Sequence, residues 1–436
     1  MSAGRNVFST VILGFALFAC FLGAGSLLFA PTVGLMAGRE WHLALFSFTL
    51  SGILLPALAF AAVARAGGID AVTSEMGKPF SILFTSIMVL CTSLFIAAPR
   101  AAETIHALAV TPIIGSAPPI LTSLVFFAAV FFLSSNLSTA VKIIGKYFSP
   151  IILLVLSVII VKAILNPIDI PADTGIPRLL ALREGFMDGY RTMSIFAVLI
   201  FSGAVFAALG AMEPGSRLAR GLMSCGAILV ALLTIFFICG GLIYLGAAGS
   251  GLLTIGMGEA AILSALVNSR FVLVLAVLLA CLSAVSGLTA GASLFFSRAT
   301  GDKLPYKTGT AVICALSLLV AALGSDVITR YVTQVLTVMY PAVIVLAALN
   351  VIRCPLINRG TFLGGVYCAL VVSFLDMMFL MGHTTISVEA LPFFVHGLAW
   401  LAPSAACALL GTIVYYFVGK KGKKGGENEA NKQHTV

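Results

Sequence analysis

Residues 21–31 read FLGAGSLLFAP, with Gly23 and Gly25 flanking Ala24, Ser26 following and Pro31 closing the stretch. In an apolar helix this is where the backbone can open and expose N–H and C=O groups. Close packing of small residues against a neighbouring helix accounts for the same pattern. A second polar interruption lies at 189–206, GYRTMSIFAVLIFSGAVF, which opens on Tyr190, Arg191, Thr192 and Ser194 and carries Ser202-Gly203 further on. A third segment, CLSAVSGLTAGASLFFSR at 281–298, places Ser283 and Ser286 one turn apart on one helical face, with Thr289 and Ser293 beyond. Hydroxyls and freed carbonyls are oxygen ligands suited to a hard cation. Serines in membrane helices also simply bond the carbonyl four residues back.

These residues sit in a chain that is 60% hydrophobic and 9% charged, with a mean hydropathy of +1.13. A soluble domain carries about 25% charged residues, so the solvent here is hydrocarbon. About 20 apolar residues cross a bilayer. That length predicts twelve spans: 7–36, 41–64, 80–110, 119–135, 141–163, 186–210, 219–247, 271–297, 309–323, 327–350, 361–381 and 394–418. The first is too long for a signal-peptide core and reads as a retained span. The whole chain, 1–436, reads as a single polytopic membrane domain with no soluble domain beside it.

An even number of spans puts both termini on one side. Seventeen Lys and Arg fall there and eight on the other, which predicts cytoplasmic termini in a bacterial-type inner (plasma) membrane. The run Lys420, Lys421, Lys423, Lys424 after the last span accounts for much of the net charge of +9 as an anchor beside anionic lipid, and excludes nucleic acid as the reason for it. The nine cysteines form no CxxC pair and no metal-ligand spacing with histidine, and read as small buried hydrophobes. No phosphate-binding glycine loop and no paired catalytic carboxylates occur, so neither an enzyme nor an ATP-driven pump is predicted, and no organic cofactor.

Interrupted spans in corresponding positions of two halves mark the binding site of a secondary transporter. Spans one and six correspond if spans 1–5 (7–163) and 6–10 (186–350) are inverted repeats, with 361–418 as two added helices and 419–436 as a polar tail. Arg100, Glu103 and His106, at i, i+3 and i+6 near the end of span three, are ionisable residues on one face, read either as a gate or as an interfacial ion pair beside a surface histidine. Asp376 in span eleven has no evident partner and reads as a proton relay or as a water-exposed helix end.

Five co-ordered segments resemble the branched-chain amino acid:cation symporters, the BrnQ or LIVCS family: LGFALFACFLGAGSLLFAPTVG, AAPRAAETIH, GFMDGYRTMSIFAVLIFSG, ACLSAVSGLTAG and VLTVMYPAVIVL. The resemblance covers the chain from end to end. It implies an all-α, LeuT-like fold of two inverted five-helix repeats plus two helices, and symport of leucine, isoleucine or valine, usually with sodium. Coupling to protons, or none, is the alternative; a channel and a non-transporting receptor on the same fold are the more distant ones.

The resemblance further implies where the ligands bind. The amino acid carboxylate would meet the backbone amides of Ala24 and Gly25, between Gly23 and Ser26. The ammonium would meet carbonyls of an unwound stretch at Phe201, Ser202, Gly203 and Ala204. Phe29, Met193, Phe196 and Phe201 would line an apolar pocket. A cation would sit on the carbonyls of Ala19, Leu22 and Ala280 and the Ser283 hydroxyl, with Ser26 at a second position. Members usually read FGAGN, TMD and ACLTT where this chain has LGAGS, Met193-Ser194 and Ser283-Ala284, so an amide, a carboxylate and a hydroxyl are missing from the region that would hold the ions. The expected partners are a small amino acid and the lipid bilayer; the sequence is silent on oligomeric state.

Overall fold

A computed structural model describes residues 2–115, 118–211, 217–253, 258–267, 269–323, 325–352, 354, 356–382, 389 and 391–433. Every regular element among them is helical. In hydrocarbon a chain must bond its own backbone, and a helix does so within each segment.

The twelve expected spans all have helical counterparts. Span one is Ser2–Phe21 and Ala24–Ala37, and span two runs from Trp41–Phe48 to Leu55–Ala66. Span three is Lys78–Val110, span four Pro119–Ser134 and span five Leu137–Leu165. Span six is Arg178–Arg191 and Ser194–Ala211; span seven is Arg217–Ala248, span eight Arg270–Ala299 and span nine Tyr306–Leu323. Ser325–Ile352, Arg359–Leu380 and Leu401–Gln433 complete the set. The last begins later than the expected 394, because Phe393 and Gly397 both take positive φ and confine Phe394–His396 to a single turn. The side chains of Lys420, Lys421, Lys423 and Lys424 lie outside the described residues.

The chain groups into two compact units. One comprises Met1–Ile69 and Ser86–Thr333, with Phe18, Phe21, Phe196 and Phe201 fully buried at its centre. The other comprises Asp70–Thr85 and Gln334–Val436. Spans eleven and twelve pack there as an antiparallel hairpin whose backbones meet at Gly360 and Gly411, where any side chain would collide. Asn358 and Thr361 cap the entry of span eleven reciprocally, satisfying amides the helix leaves unbonded. Asp376 lies near the end of span eleven, partly exposed, with one of its carboxylate oxygens buried without a hydrogen-bond partner.

Cys20, Cys91, Cys239, Cys281 and Cys314 are buried as expected, whereas Cys225 and Cys354 are exposed on the protein surface and Cys368 and Cys407 partly so. All nine are free thiols.

Candidate functional site

Span one is cut at Leu22 and Gly23. Its first half ends at Phe21, and a new helix starts at Ala24 with Gly23 as its N-terminal cap at φ −30° and ψ 167°. The opening amides of a helix have no intrahelical acceptor and form its positive end, so Ala24, Gly25 and Ser26 present donors. The Ser26 hydroxyl donates to the Phe21 carbonyl at 2.9 Å, satisfying one orphan acceptor across the cut.

Span six is cut too, but not at Phe201–Ala204. Those four residues lie inside the continuous helix Ser194–Ala211, where the Ser202 hydroxyl donates to the Val198 carbonyl one turn back. A glycine such as Gly203 weakens a helix interior by only about 1 kcal/mol, too little to open a buried span. The cut falls at Thr192 and Met193, and Met193 takes a left-handed φ of 51°, uncommon for a residue with a side chain. Hydroxyls bridge this cut as well: Ser194 donates to Thr192 Oγ1 at 3.1 Å, and Thr192 donates to the Gly189 carbonyl at 2.7 Å. The preceding helix ends at Arg191, so the carbonyls of its last turn form a negative end.

The two cuts meet. A Cβ added at Gly25 would lie 3.4 Å from the Thr192 carbonyl oxygen, 3.7 Å from its Cα and 3.8 Å from the Phe29 ring. A single Cβ there would sit in ordinary contact, and a larger side chain would fill the space between the two backbones. A helix N-terminus and a helix C-terminus thus face one another at mid-span, with Phe29 beside them. Phe196 and Phe201 are fully buried. The Phe201 ring is wedged between spans one and eight, where a Cβ at Gly287 would lie 2.9 Å from it and 3.2 Å from the Cys20 sulfur.

The residues expected to hold a cation are close in sequence to that contact. Ala19 and Leu22 flank Cys20, and Ser283 and Ala284 lie one turn before Gly287. All four are buried, as is Ala280. The Ser283 hydroxyl donates to the Ala280 carbonyl at 3.0 Å, leaving its lone pairs available; Ala284 contributes no oxygen.

Arg100 finds its partner far away in sequence. It pairs with Glu259 at 3.0 Å, and its guanidinium stands over the Phe29 ring at 5.5 Å, a cation–π geometry. Glu259 opens the short helix Glu259–Leu266 between spans seven and eight. Glu103, one turn along from Arg100, makes contacts of its own, and His106 shares a hydrogen bond of 2.9 Å with Thr122. Sequence reasoning missed Glu259 and Asp188. The second pairs with Arg191 at 2.8 Å immediately before the span-six cut and carried a local signal, an acid three residues before an arginine on one helix. Glu259 carried none, since 159 residues separate it from Arg100.

Among the described residues, open crevices also occur away from the cuts. One of about 460 Å³ is lined by Trp41, Leu45, Phe236, Gly240 and Tyr244, and none of its residues belongs to either cut.

Known proteins resemble this chain along its length. A sequence profile described as branched-chain amino acid transport protein matches residues 6–418. The chain is 30% identical to the branched-chain amino acid permease BraB of Bacillus subtilis, over 96% of this chain and 98% of that one. It is 31% identical to the branched-chain amino acid transport system 2 carrier protein of Pseudomonas aeruginosa, over 95% and 97%. Among solved structures it is similar to a Na+-coupled sialic acid symporter in a substrate-bound outward-open state, with a TM-score of 0.59 at 14% identity, covering 93% of this chain and 90% of that one. It is also similar to MhsT in complex with L-phenylalanine, with a TM-score of 0.54 at 15% identity, covering 93% and 98%. These two likenesses show the fold, which is LeuT-like.

Proposed function

From its membership of the branched-chain amino acid transport protein family, we propose that the chain is a cation-coupled symporter of leucine, isoleucine, valine or a similar apolar amino acid, with both termini in the cytoplasm. The observation that carries this reading is the meeting of the two cuts at Gly25 and Thr192. A zwitterion needs donors for its carboxylate and acceptors for its ammonium in one dry place. The N-terminal amides at Ala24 and Gly25 supply the first. The C-terminal carbonyls around Arg191 and Thr192, rather than those of Phe201–Ala204, supply the second. Phe29 and Met193 stand nearest to take the side chain. Apolar pockets discriminate by only about 1–3 kcal/mol per methylene, so selectivity among the three aliphatic amino acids is modest.

The Arg100–Glu259 pair above Phe29 acts as the external gate, holding the loop between spans seven and eight over the site. The coupling ion is sodium, on Ala19, Leu22, Ala280 and Ser283, bound weakly because Ala284 brings no hydroxyl. The test is leucine uptake into proteoliposomes under imposed sodium or proton gradients. Uptake that accumulates leucine with a sodium gradient alone supports the reading. Accumulation only with a proton gradient replaces the ion, and equilibration under neither gradient overturns coupling.

A further inference from the structure

Span eight carries hydroxyls beyond those the cation site uses. Ser283, Ser286, Thr289, Ser293 and Ser297 recur at steps of three or four residues, which puts them on one helical face. Each is buried, the first, second and fourth completely. Their neighbours are polar as well. Thr310 on span nine donates to Ser293 at 3.1 Å, and Ser293 donates to the Thr289 carbonyl at 2.7 Å. At the far end Ser297 donates to a carboxylate oxygen of the exposed Asp302 at 2.9 Å. The face therefore runs from the middle of the span to an acidic group in solvent.

One rung is different. The Ser286 hydroxyl is completely buried and has no hydrogen-bond partner. Around it stand two backbone carbonyls, each already accepting one side-chain hydroxyl and keeping a second lone pair. Ser134, the last residue of span four, donates its hydroxyl to the Ser286 carbonyl at 3.1 Å, and Tyr306 at the start of span nine donates to the Ser134 carbonyl at 2.7 Å. The C-terminal end of span four, a negative helix end, is thus buried beside Ser286. An unsatisfied hydroxyl at such a place is costly, and its free lone pairs can coordinate a passing cation.

We propose that this face of span eight is the inward release path of the coupling cation, with Ser286 as a transient ligand between Ser283 and the cytoplasmic mouth at Asp302. The inference rests on the coupled-transport reading. A monovalent metal cation leaving Ser283 moves one turn to the Ser286 hydroxyl and the acceptors at the end of span four. It then passes Thr289 to reach Asp302, exchanging protein oxygens for water, while Ser293 keeps its bonds to Thr289 and Thr310 and does not ligate.

The experiment compares two serines of the same helix face in proteoliposomes, with sodium as the probe. Net leucine uptake requires the cation to leave on the inside. Exchange of internal for external leucine at equal sodium on both sides does not. Ser286→Ala is expected to lower net uptake about tenfold, as for a lost hydrogen-bonding group to a charge, while exchange stays within about twofold and thermal stability does not fall. Ser293→Ala removes a hydroxyl that is already fully bonded, so it is expected to lower stability and to change both transport modes alike. Equal effects of Ser286→Ala on uptake and exchange, or no effect on either, would overturn the path while leaving symport intact. A parent protein that exchanges leucine but accumulates it under neither gradient overturns the coupled-transport reading, and the path with it. Accumulation driven by protons alone overturns a path for a metal cation.

Discussion

Spans one and six are both cut near mid-span and both cuts are bridged by a serine hydroxyl, yet they are built from different backbone chemistry. In span one the cut is made by glycine: Gly23 caps the second half-helix, and Gly25 keeps the space beside the Thr192 carbonyl clear. In span six the cut is made by methionine, held at a φ of 51° by the helix that ends before it and the one that starts after it. The first cut is a local property of its sequence. The second is imposed by packing, since the helix before it lies so close to span two that Gly185 and Gly189 leave no room for a side chain. Serine stands at both bridges, Ser26 to the Phe21 carbonyl and Ser194 to Thr192. These are two of the three positions at which the resemblance expected a larger oxygen-bearing group.

If the meeting of the cuts is the binding site, filling it should have the largest effect of any single change. Gly25→Val is expected to reduce leucine uptake by at least about 100-fold, ~2.7 kcal/mol of lost binding or catalysis, with the folded protein still recovered in detergent. Gly203→Ala is the contrast within span six: nothing lies within 4 Å of its would-be Cβ. Alanine also favours the helix, so uptake should stay within about twofold of the parent. Equal loss in both variants would mean that the two glycines share one role, and that the cut in span six had been wrongly moved to Met193.

The span-one cut was legible because two glycines and a serine inside an apolar block have few other uses. Ser202-Gly203 gave the same signal and misled. A serine that bonds the carbonyl behind it and a glycine beside open space leave a helix intact, and neither fact is written in the local sequence. Met193 was expected only to line the pocket, at the polar opening of span six, and not to break the helix, because a left-handed methionine is a product of tertiary context. The twelve spans were readable from length and hydropathy, since the bilayer fixes both. Glu259 was not, because its ion pair with Arg100 joins segments that only the fold brings together.

The Arg100–Glu259 pair separates the two regions in a second way, since Arg100 rests on Phe29 of span one and pairs with Glu259 of the short helix before span eight. Both partners are about one-third exposed, so solvent screening limits the pair to about 1 kcal/mol, roughly fivefold in an equilibrium. Arg100→Gln and Glu259→Gln should each raise the leucine concentration for half-maximal uptake by about that factor, less so at high salt. The double exchange Arg100→Glu with Glu259→Arg should recover part of the loss. Additive losses in the double exchange would show that the two residues act separately.

Cation coupling sharpens the comparison because its proposed ligands touch span one and span eight but not span six. Ala284→Thr returns one oxygen to the set and should lower the sodium concentration for half-maximal uptake several-fold, up to about tenfold, with little change at saturating sodium. Ser283→Ala should move it the other way. Sodium dependence unaffected by either change would remove the cation from this place while leaving the amino acid site untouched.

The smallest effect, and the sharpest contrast between the cuts, is in stability. A residue with a side chain costs about 1–2 kcal/mol in the left-handed region, and glycine removes that cost while adding about 0.5–1 kcal/mol of backbone entropy on folding. Met193→Gly should therefore stabilise the protein by about 0.5 kcal/mol, or leave it level. A β-branched Met193→Val should destabilise it, because branching at Cβ makes that backbone region harder to occupy. At the other cut the order reverses. Gly23 has a negative φ, and a Cβ there would come no closer than 3.8 Å to any atom, the Cys20 carbonyl oxygen. Nothing but local backbone freedom resists Gly23→Ala, so it should change stability by less than about 0.5 kcal/mol. Thermal unfolding of the three variants in one detergent, with leucine exchange as the control for a folded site, reads all of these. If Gly23→Ala proved more damaging than Met193→Val, the glycine cut would be the strained one, and packing would have no special part in opening span six.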